Sequence, residues 1–228
     1  MATERGSAAN TRDRLLESAR DVFAEKGFSD ATVKEICEHA DANIAAVNYY
    51  FGSKEELYVE AWESAFRESL RAHPPDGGVP EDAPAEERLC GRIRAMVHNV
   101  ADEENQAFRI ADKEMAKPTC LLHEVQQECV KPLMEEMHAV ISELLGPQAT
   151  EKDVYFCQTS VAAQCFGVLR HVRFHRRTEQ PHPPPMEYVI RDIDGYAEHV
   201  GRFALAGIRA TRDAIEGKAE EHAFEARN

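Results

Sequence analysis

The sequence predicts an all-α protein of about nine helices, with a small N-terminal helical unit followed by a larger C-terminal helical domain. Apolar residues recur at spacings of three and four along most of the chain. Capping residues, glycines and prolines interrupt this periodicity at intervals typical of helix ends. Of the 228 residues, 43% are hydrophobic and 30% are charged. This composition is that of a folded globular protein, not a disordered one.

The first two helices are predicted by their apolar faces and end signals. Residues 11–26 place apolar side chains on one helical face, and Gly27 is a typical helix stop. Thr32 is followed three residues later by Glu35. This spacing forms a capping box, which predicts the start of a short second helix. The segment 41–43 then breaks that helix.

A third helix is predicted over about residues 44–50, with Asn43 as its N-terminal cap and Gly52 as its end. Ser53 caps a fourth helix, which continues past Leu70. The second and third helices, joined by a three-residue turn, match the helix-turn-helix unit, whose second helix enters the DNA major groove. On periodicity alone, a generic helical hairpin is an equal alternative.

The rest of the chain begins with a loop over residues 73–84, which is rich in proline and glycine. Pro132 lies inside a later helical segment and is expected to kink or split it. We expect an N-terminal domain over residues 1–52, a C-terminal domain over residues 53–213 and a charged tail over residues 214–228. The apolar periodicity after the loop predicts helices at residues 85–102, 105–116, 118–145, 151–176 and about 186–213.

The sequence also indicates the cellular compartment in which the protein is expected. No apolar run approaches the roughly 18 residues that span a bilayer, and the N-terminus lacks the apolar core of a signal peptide. The six cysteines are scattered, with no CxxC pair, and most are expected to act as small buried hydrophobic residues. We therefore expect a cytoplasmic protein without disulfides or a membrane partner.

The segment from Ala42 to Lys54 contains no Asp or Glu, although the whole chain has a formal net charge of −14. It carries Tyr49, Tyr50 and Lys54. Phosphate oxygens accept hydrogen bonds from tyrosine hydroxyls, lysine and helix N-termini, whereas carboxylates repel them. The segment therefore favours a nucleic-acid contact. Packing is the alternative for the tyrosines, and we expect Phe51 in the core.

Residues 32–57 follow the pattern Thr-Val-x-x-Ile-x-x-x-Ala-x-x-Asn-x-x-x-Val-Asn-Tyr-Tyr-Phe-x-Ser-Lys-Glu-Glu-Leu. This pattern resembles the signature of the TetR family of bacterial transcriptional repressors. The resemblance covers about residues 11–60. The remaining residues can be compared with the family only by their helical architecture. It implies a homodimeric repressor that binds a palindromic double-stranded DNA operator and is released by a small-molecule effector.

The resemblance also implies which residues contact DNA. Tyr49, Tyr50 or both are implied to meet phosphate or base edges, and Lys54 to meet phosphate. Asn48 could pair with adenine, while the alanines permit close approach and could touch a thymine methyl. The third helix has no arginine or lysine, which argues against direct guanine readout. The implied DNA-binding residues are Thr32, Lys34, Asn43, Ala45, Ala46, Asn48, Tyr49, Tyr50 and Lys54.

In the C-terminal domain, the resemblance implies that the last two helices pair with their copies in a second subunit. The same apolar stripe could instead close the core of one subunit. The implied interface residues are Val161, Cys165, Val168, Val172, Tyr196, Val200, Phe203 and Gly207.

Helices four to eight are implied to enclose a pocket for a small, partly apolar effector. For each candidate residue, plain core packing is the alternative. The candidate pocket residues are Trp62, Phe66, Met96, Phe108, Met115, Leu122, Phe156, Gln158 and Phe166.

Other classes of function find little support. His171 and His175 share a helix face, and Cys120, His123 and Cys129 are near in sequence. Neither group supplies a full metal-ligand set at a recognisable spacing. The chain has no Gly-x-Ser-x-Gly, phosphate-binding loop or dinucleotide fingerprint. We expect no cofactor, no metal and no enzymatic activity, with a helical enzyme or a ligand-free architectural DNA-binding protein as alternatives.

Overall fold

The computed structural model describes residues 2–177 and 191–225, and these contain nine helices and no strand. The predicted all-α class is therefore confirmed. The helices are α1 Ala2–Asp30, α2 Val33–His39, α3 Ile44–Phe51, α4 Lys54–Ala72, α5 Ala85–Ala101, α6 Gln106–Ala116, α7 His123–Leu145, α8 Glu151–Arg177 and α9 Ile193–Glu225.

The predicted caps of α2, α3 and α4 are confirmed. The Thr32 hydroxyl accepts the backbone N–H of Glu35 at 3.2 Å, and the Asn43 side-chain oxygen accepts that of Ala45 at 2.9 Å. The Ser53 hydroxyl caps α4 in the same way. Each cap satisfies a backbone donor that the first turn of a helix leaves unpaired. These local contacts fix where the helix-turn-helix elements begin.

The first helix stop agrees with prediction, and the last helix end differs from it. The backbone leaves helical geometry at Gly27, with φ 76° and ψ 178°, which confirms the predicted stop, and helical residues then continue to Asp30. The helix α9 continues to Glu225, whereas the periodicity predicted an end near residue 213. Its predicted first residues, 186–190, lie outside the described residues. Helix α7 runs through Pro132 without being split.

Helix α7 begins at His123 and not near Pro118, as the sequence suggested. The reason is a loop held by the Glu114 carboxylate, which accepts the backbone N–H groups of Thr119 at 2.7 Å and Cys120 at 2.9 Å. Cys120 has a left-handed φ of 65°, which α-helical geometry does not allow. A carboxylate on α6 thus delays the start of the next helix.

The chain forms two compact units. Unit 1 comprises Met1–Arg71 and Glu104–Val130, so α4 and α6 pack with the helix-turn-helix. In its core, the Phe23 and Tyr58 rings meet edge to face with centroids 4.8 Å apart. Unit 1 extends beyond the domain boundary expected after residue 52. That boundary therefore stays a prediction.

Unit 2 comprises Ala72–Glu103 and Lys131–Asn228. Helix α5 packs against both α8 and α9. The Tyr196 hydroxyl on α9 donates to the Gln164 carbonyl on α8 at 2.7 Å. The core of this unit includes Leu89, Ile93, Val97, Ile141, Val154, Val161, Cys165, Val200 and Ile208.

The cysteines divide by burial, and all six are free thiols. Cys37 and Cys165 are buried, Cys120 is exposed, and the other three are half-buried. Burial raises the pKa of Cys165 to about 12, which keeps this thiol protonated at neutral pH. As for membranes, none of the described helices combines the length and apolar character needed to cross a bilayer.

The proline- and glycine-rich loop at residues 73–84 packs its backbone onto α5 at Gly91. A Cβ placed on Gly91 would lie 2.5 Å from the Asp76 carbonyl oxygen and 2.6 Å from Val79 Cγ2. The loop therefore approaches α5 at a distance that only glycine permits. A segment that composition describes as a simple linker is part of the packing of unit 2.

We expect Gly91→Ala to lower the free energy of unfolding by about 1–3 kcal/mol, because the loop backbone must move to admit the methyl group. Urea-induced unfolding measures the change. The control is Gly217→Ala on α9, where an added Cβ meets nothing within 4 Å. This control should be neutral or slightly stabilising. Equal stability of the Gly91 variant and wild type would contradict the close packing.

Candidate nucleic-acid interface

Helix α3 has one buried face and one exposed face. Val47 and Phe51 point into the core of unit 1, which confirms the expectation for Phe51. Ile44 is 51% exposed and Tyr49 is 80% exposed. Contiguous exposed apolar patches mark surfaces for partners, whereas single exposed apolar side chains are ordinary. The exposed residues of α3 and its cap are Asn43, Ile44, Ala45, Asn48 and Tyr49.

Contacts from α1 hold the helix-turn-helix in place. The Ser18 hydroxyl donates to the Ile36 carbonyl on α2 at 2.8 Å. The Arg12 guanidinium lies 5.0 Å from the centroid of the Phe51 ring and forms an ion pair with Glu60 on α4. The C-terminal end of α3 is therefore held by a cation–π contact from Arg12, which its salt bridge to Glu60 positions. The exposed face of α3 is presented by a well-supported helix.

The turn between α2 and α3 contains one carboxylate. Asp41 adopts a left-handed φ of 46°, a conformation that Asp, Asn and Gly tolerate best. Its side chain is exposed, with an Arg14 nitrogen 4.0 Å from its carboxylate. Arg14 also donates to the Asp41 carbonyl at 3.5 Å. A negative charge therefore lies at the edge of the carboxylate-free segment, weakly compensated by α1.

At the N-terminal end of α2, the predicted DNA-binding residues Thr32, which is the cap, and Lys34 are both exposed. The Thr32 hydroxyl oxygen accepts a backbone N–H, so its own proton can still be donated to a phosphate. The Lys34 ammonium lies 3.6 Å from a Glu38 carboxylate oxygen one helical turn further along. Exposed pairs of this kind are weak, so the lysine can exchange this partner for a phosphate.

The structure separates the two tyrosines of α3. Tyr50 is half-buried and meets Phe51 edge-on, with ring centroids 6.5 Å apart. Tyr49 packs edge-on against Tyr50 at 4.9 Å and points outward. Of the two, Tyr49 has the side chain more accessible to a partner. Ala46 is half-buried like Tyr50, so both lie at the margin of the exposed face.

Two predicted DNA-binding side chains also make contacts that stabilise unit 1. The Asn43 amide oxygen caps α3, and its NH₂ group can still donate to a base or phosphate. The Lys54 ammonium donates to the Phe28 carbonyl at 2.6 Å and lies 4.3 Å from the Phe28 ring centroid. Burial lowers the pKa of Lys54. Lys54 therefore holds the end of α1 and keeps only part of its donor capacity for DNA.

The predicted effector-pocket residues occur in both units. In unit 1, Leu122 is fully buried and the Trp62 indole donates to the Ala107 carbonyl at 3.2 Å, as plain core packing predicts. Phe66 stacks on Trp62, Phe108 is half-buried, and Met115 is 53% exposed.

In unit 2, Met96 is half-buried and Gln158 is buried, donating to the Met134 carbonyl at 2.9 Å. Phe156 and Phe166 are 57% and 37% exposed. These two side chains therefore lie on an outer face of α8 in the single chain.

Unit 1 contains a cavity of about 600 Å³, and none of the predicted pocket residues lines it. It is bordered by α1, α4 and Leu121, with several glutamates and two arginines at its rim. The sequence analysis did not anticipate it, because its walls come from segments far apart in the chain. Its lining residues are Arg12, Leu16, Glu55, Glu56, Val59, Glu60, Glu63, Ser64, Arg67 and Leu121.

Three predicted interface residues, Val161, Cys165 and Val200, fill the core of unit 2 within one subunit. They face neighbouring helices of the same chain, which is the alternative that the apolar stripe allowed. Phe203 is 61% exposed, and an added Cβ on the exposed Gly207 meets nothing within 4 Å. Tyr196 is half-buried against α8. The side chains of Val168 and Val172 lie outside the described residues.

Metal binding gains no support from the side chains that the structure describes, which contain no group of three or more His, Cys, Asp or Glu able to hold an ion. Cys120 is exposed in the loop before α7, His123 pairs with Gln127, and Cys129 is half-buried. The side chains of His171 and His175 fall outside that described set.

A helix-turn-helix that contacts from α1 hold in place, followed by further helices, is the architecture of a DNA-binding transcriptional regulator. The sequence comparisons make the class specific. Residues 15–61 match the family of bacterial regulatory proteins called the tetR family, and residues 85–208 match the C-terminal domain of the HTH-type transcriptional dual regulator CecR. The chain belongs to the TetR family of bacterial transcriptional regulators, whose members are mostly repressors and are not enzymes.

Individual relatives agree with this assignment. CecR of Shigella flexneri is 29% identical over 150 residues, which cover 61% of this chain and 67% of CecR. The probable HTH-type regulator YttP of Bacillus subtilis is 43% identical over 58 residues, which cover 24% of this chain and 28% of YttP. The match to YttP thus spans about a quarter of that protein's length.

A solved structure supports the fold. The crystal structure of a transcriptional regulator from Rhodococcus sp. Rha1 superposes with a TM-score of 0.61 at 17% identity. The superposition covers 86% of this chain and 95% of that one. The N-terminal helix-turn-helix and C-terminal helical domain predicted from the sequence are confirmed.

We expect Tyr49→Phe and Lys54→Ala to affect different properties. Tyr49→Phe should leave stability unchanged, because the side chain is exposed, and should weaken binding to any DNA duplex by about two- to tenfold through loss of one phosphate hydrogen bond. Lys54→Ala should also lower the free energy of unfolding by about 1–2 kcal/mol, because the Phe28 carbonyl loses its partner.

Fluorescence anisotropy with labelled DNA and urea unfolding measure the two effects. Lys131→Ala, on an exposed lysine of α7, serves as the matched control. A Lys54→Ala protein as stable as wild type would contradict the structural role of Lys54.

We expect Asp41→Asn to raise affinity for any duplex by about two- to fivefold at low salt, with a smaller gain at high salt. The substitution removes a negative charge beside α3, and asparagine still tolerates the left-handed backbone. Anisotropy titrations at several salt concentrations measure the effect. The exposed Glu81→Gln in unit 2 is the control for a change in net charge alone. An equal gain in both variants would show that Asp41 lies away from the DNA.

Proposed function

We propose that this chain is a homodimeric repressor that binds a palindromic operator through α3 and is released by a small-molecule effector. The observation that carries the DNA contact is the exposed face of α3. It presents Asn48 and Tyr49 and belongs to a stretch without carboxylates from Ala42 to Lys54. On a chain with net charge −14, such a stretch suits a polyanionic partner.

Apolar side chains left exposed on unit 2 support the homodimer. Phe203 on α9 and Phe156 on α8 are each more than half exposed in the single chain. Large exposed aromatic residues are enriched at interfaces between subunits. A twofold dimer places two copies of α3 on one duplex, so that the second contact forms at high effective concentration. The interface proposal therefore concentrates on Phe156, Phe203 and Gly207.

Effector release is proposed to act through α4, which begins at the helix-turn-helix with Lys54 and continues into the packing against α6. The Tyr58 hydroxyl on α4 donates to the Glu114 carboxylate on α6 at 3.0 Å. The same carboxylate holds the loop at Thr119. A ligand that shifts α6 or this loop therefore acts directly on α4, within unit 1.

The size of the response depends on how differently the effector binds the two states. To move a population from 1:99 to 99:1, the effector must favour the released state by about 5.5 kcal/mol. The relevant measurement is therefore operator affinity with and without ligand, not ligand binding alone.

The DNA-binding proposal is tested by selecting duplexes from a random pool with the full-length protein and measuring affinities of the enriched sequences. We expect enrichment of an inverted repeat whose half-sites lie one or more helical turns apart. Recovery of sequences without symmetry, or no enrichment, would refute the palindromic operator. Titration of the selected complex with a small-molecule library then tests release. If no compound changes affinity, a ligand-free DNA-binding protein is the better description.

We expect Phe203→Glu to shift the protein from dimer to monomer, because a buried unpaired carboxylate at an interface costs several kcal/mol. Sedimentation velocity measures the change. Met134→Glu, at an apolar α7 residue that is 43% exposed, is the matched control and should remain dimeric. The Phe203 variant should bind the selected duplex at least tenfold more weakly while retaining its fold, because the linkage between half-sites is lost. A dimeric Phe203→Glu protein would refute this interface.

A further inference from the structure

Ile44 stands out among the exposed residues of α3. It is the first residue of the helix and is 51% exposed. A single exposed apolar side chain is ordinary on a protein surface. Ile44, however, lies four residues before Asn48, so the two side chains share one face of α3. Ala45 and Tyr49 complete that face, and none of these four residues carries a charge.

The chemistry of this face limits what it can read in a major groove. Guanine is read mainly by arginine or lysine and cytosine by carboxylates, and the face has neither. The Asn43 oxygen is already used as the cap of α3. The Asn43 NH₂ group and the exposed Tyr49 hydroxyl can still bond to a phosphate or a base, and the other groups able to read a base are the Asn48 amide and the alkyl groups of Ile44 and Ala45. An amide pairs with adenine, and the C5 methyl of thymine is the apolar group that the major groove offers.

We propose that Ile44 is a specificity-determining residue that packs against a thymine methyl near an adenine read by Asn48. Side chains four apart on a helix have Cβ atoms about 5–6 Å apart, or less than two base steps of B-DNA. Each half-site therefore carries adjacent A·T pairs beneath α3. This inference rests on the proposed function and specifies which DNA that function selects.

The test uses the duplex that the full-length protein selects, with each thymine replaced in turn by deoxyuridine. The replacement removes one methyl group and changes no hydrogen-bonding group. At one position in each half-site, we expect the replacement to lower affinity about fourfold. This is the loss expected when one methyl group is no longer buried in the interface. A duplex with cytosine at that position should bind the protein more weakly than a duplex with 5-methylcytosine there, because only 5-methylcytosine restores the methyl group.

Ile44→Ala should weaken binding to the thymine duplex and remove the difference between thymine and deoxyuridine at that position. Ile44→Val, which keeps a branched alkyl group, should retain part of the difference. Asn48→Ala should retain the deoxyuridine effect and lose the preference for adenine at the neighbouring pair. Thermal unfolding checks the fold, which Ile44→Ala should preserve because the side chain is exposed and alanine favours helices.

The outcomes separate this inference from the proposed function. Selective, tight binding with no deoxyuridine effect at any position overturns the thymine contact and leaves the operator proposal intact. A deoxyuridine effect that persists in Ile44→Ala assigns the methyl contact to another residue and overturns the role of Ile44. Failure to select any duplex refutes the proposed function itself.

Discussion

The helix-turn-helix depends on one aromatic contact, the edge-to-face packing of Phe23 on α1 against Tyr58 on α4. Tyr58 is fully buried, and its hydroxyl donates to Glu114 on α6. Loss of water around the hydroxyl, followed by the nearby Glu114 charge, raises the pKa of Tyr58 far above its ordinary value. Tyr58 therefore remains a neutral donor at physiological pH. One side chain thus fixes α1, α4 and α6 together, and Phe28 beside it supports Lys54 at the start of α4.

This arrangement explains how an acidic protein can present a surface to DNA. Several cations of unit 1 are paired with carboxylates of the same unit, as Arg12 is with Glu60 and Arg20 is with Glu68. The exposed face of α3 carries neither sign of charge. Its contact with DNA then depends on hydroxyl, amide and backbone donors, which bond to phosphates without carrying a net charge. Phosphate contacts of this kind position a helix, and base contacts must supply the selectivity.

The sequence predicted what local rules control. The caps at Thr32, Asn43 and Ser53 follow from side chains two or three residues from their partners, so a single sequence suffices. The start of α7 depends on Glu114 reaching the Thr119 loop, and the Lys54 contact crosses from α4 to α1. Such contacts between separate elements leave no periodic signal. An apolar stripe likewise shows that a helix face is buried without showing which helix covers it. The sequence therefore leaves open whether Val161 and Val200 face a neighbouring helix or a second subunit, and the structure buries both within one chain.

The neutral character of α3 has a consequence for affinity. A single recognition helix without arginine or lysine gains little from counterion release, which supplies most of the non-specific affinity of DNA-binding proteins. One copy of unit 1 should therefore bind weakly and discriminate mainly by amide contacts worth about 1–3 kcal/mol and methyl contacts worth about 0.8 kcal/mol. Useful affinity then requires two copies acting on one duplex, because linkage multiplies weak contacts without adding new ones. In the proposed homodimer, the exposed aromatic residues of α8 and α9 are then as necessary to operator binding as the residues proposed to touch the bases. A regulator built this way is also easy to release, since a modest change in the spacing of its two weak contacts removes most of the combined affinity.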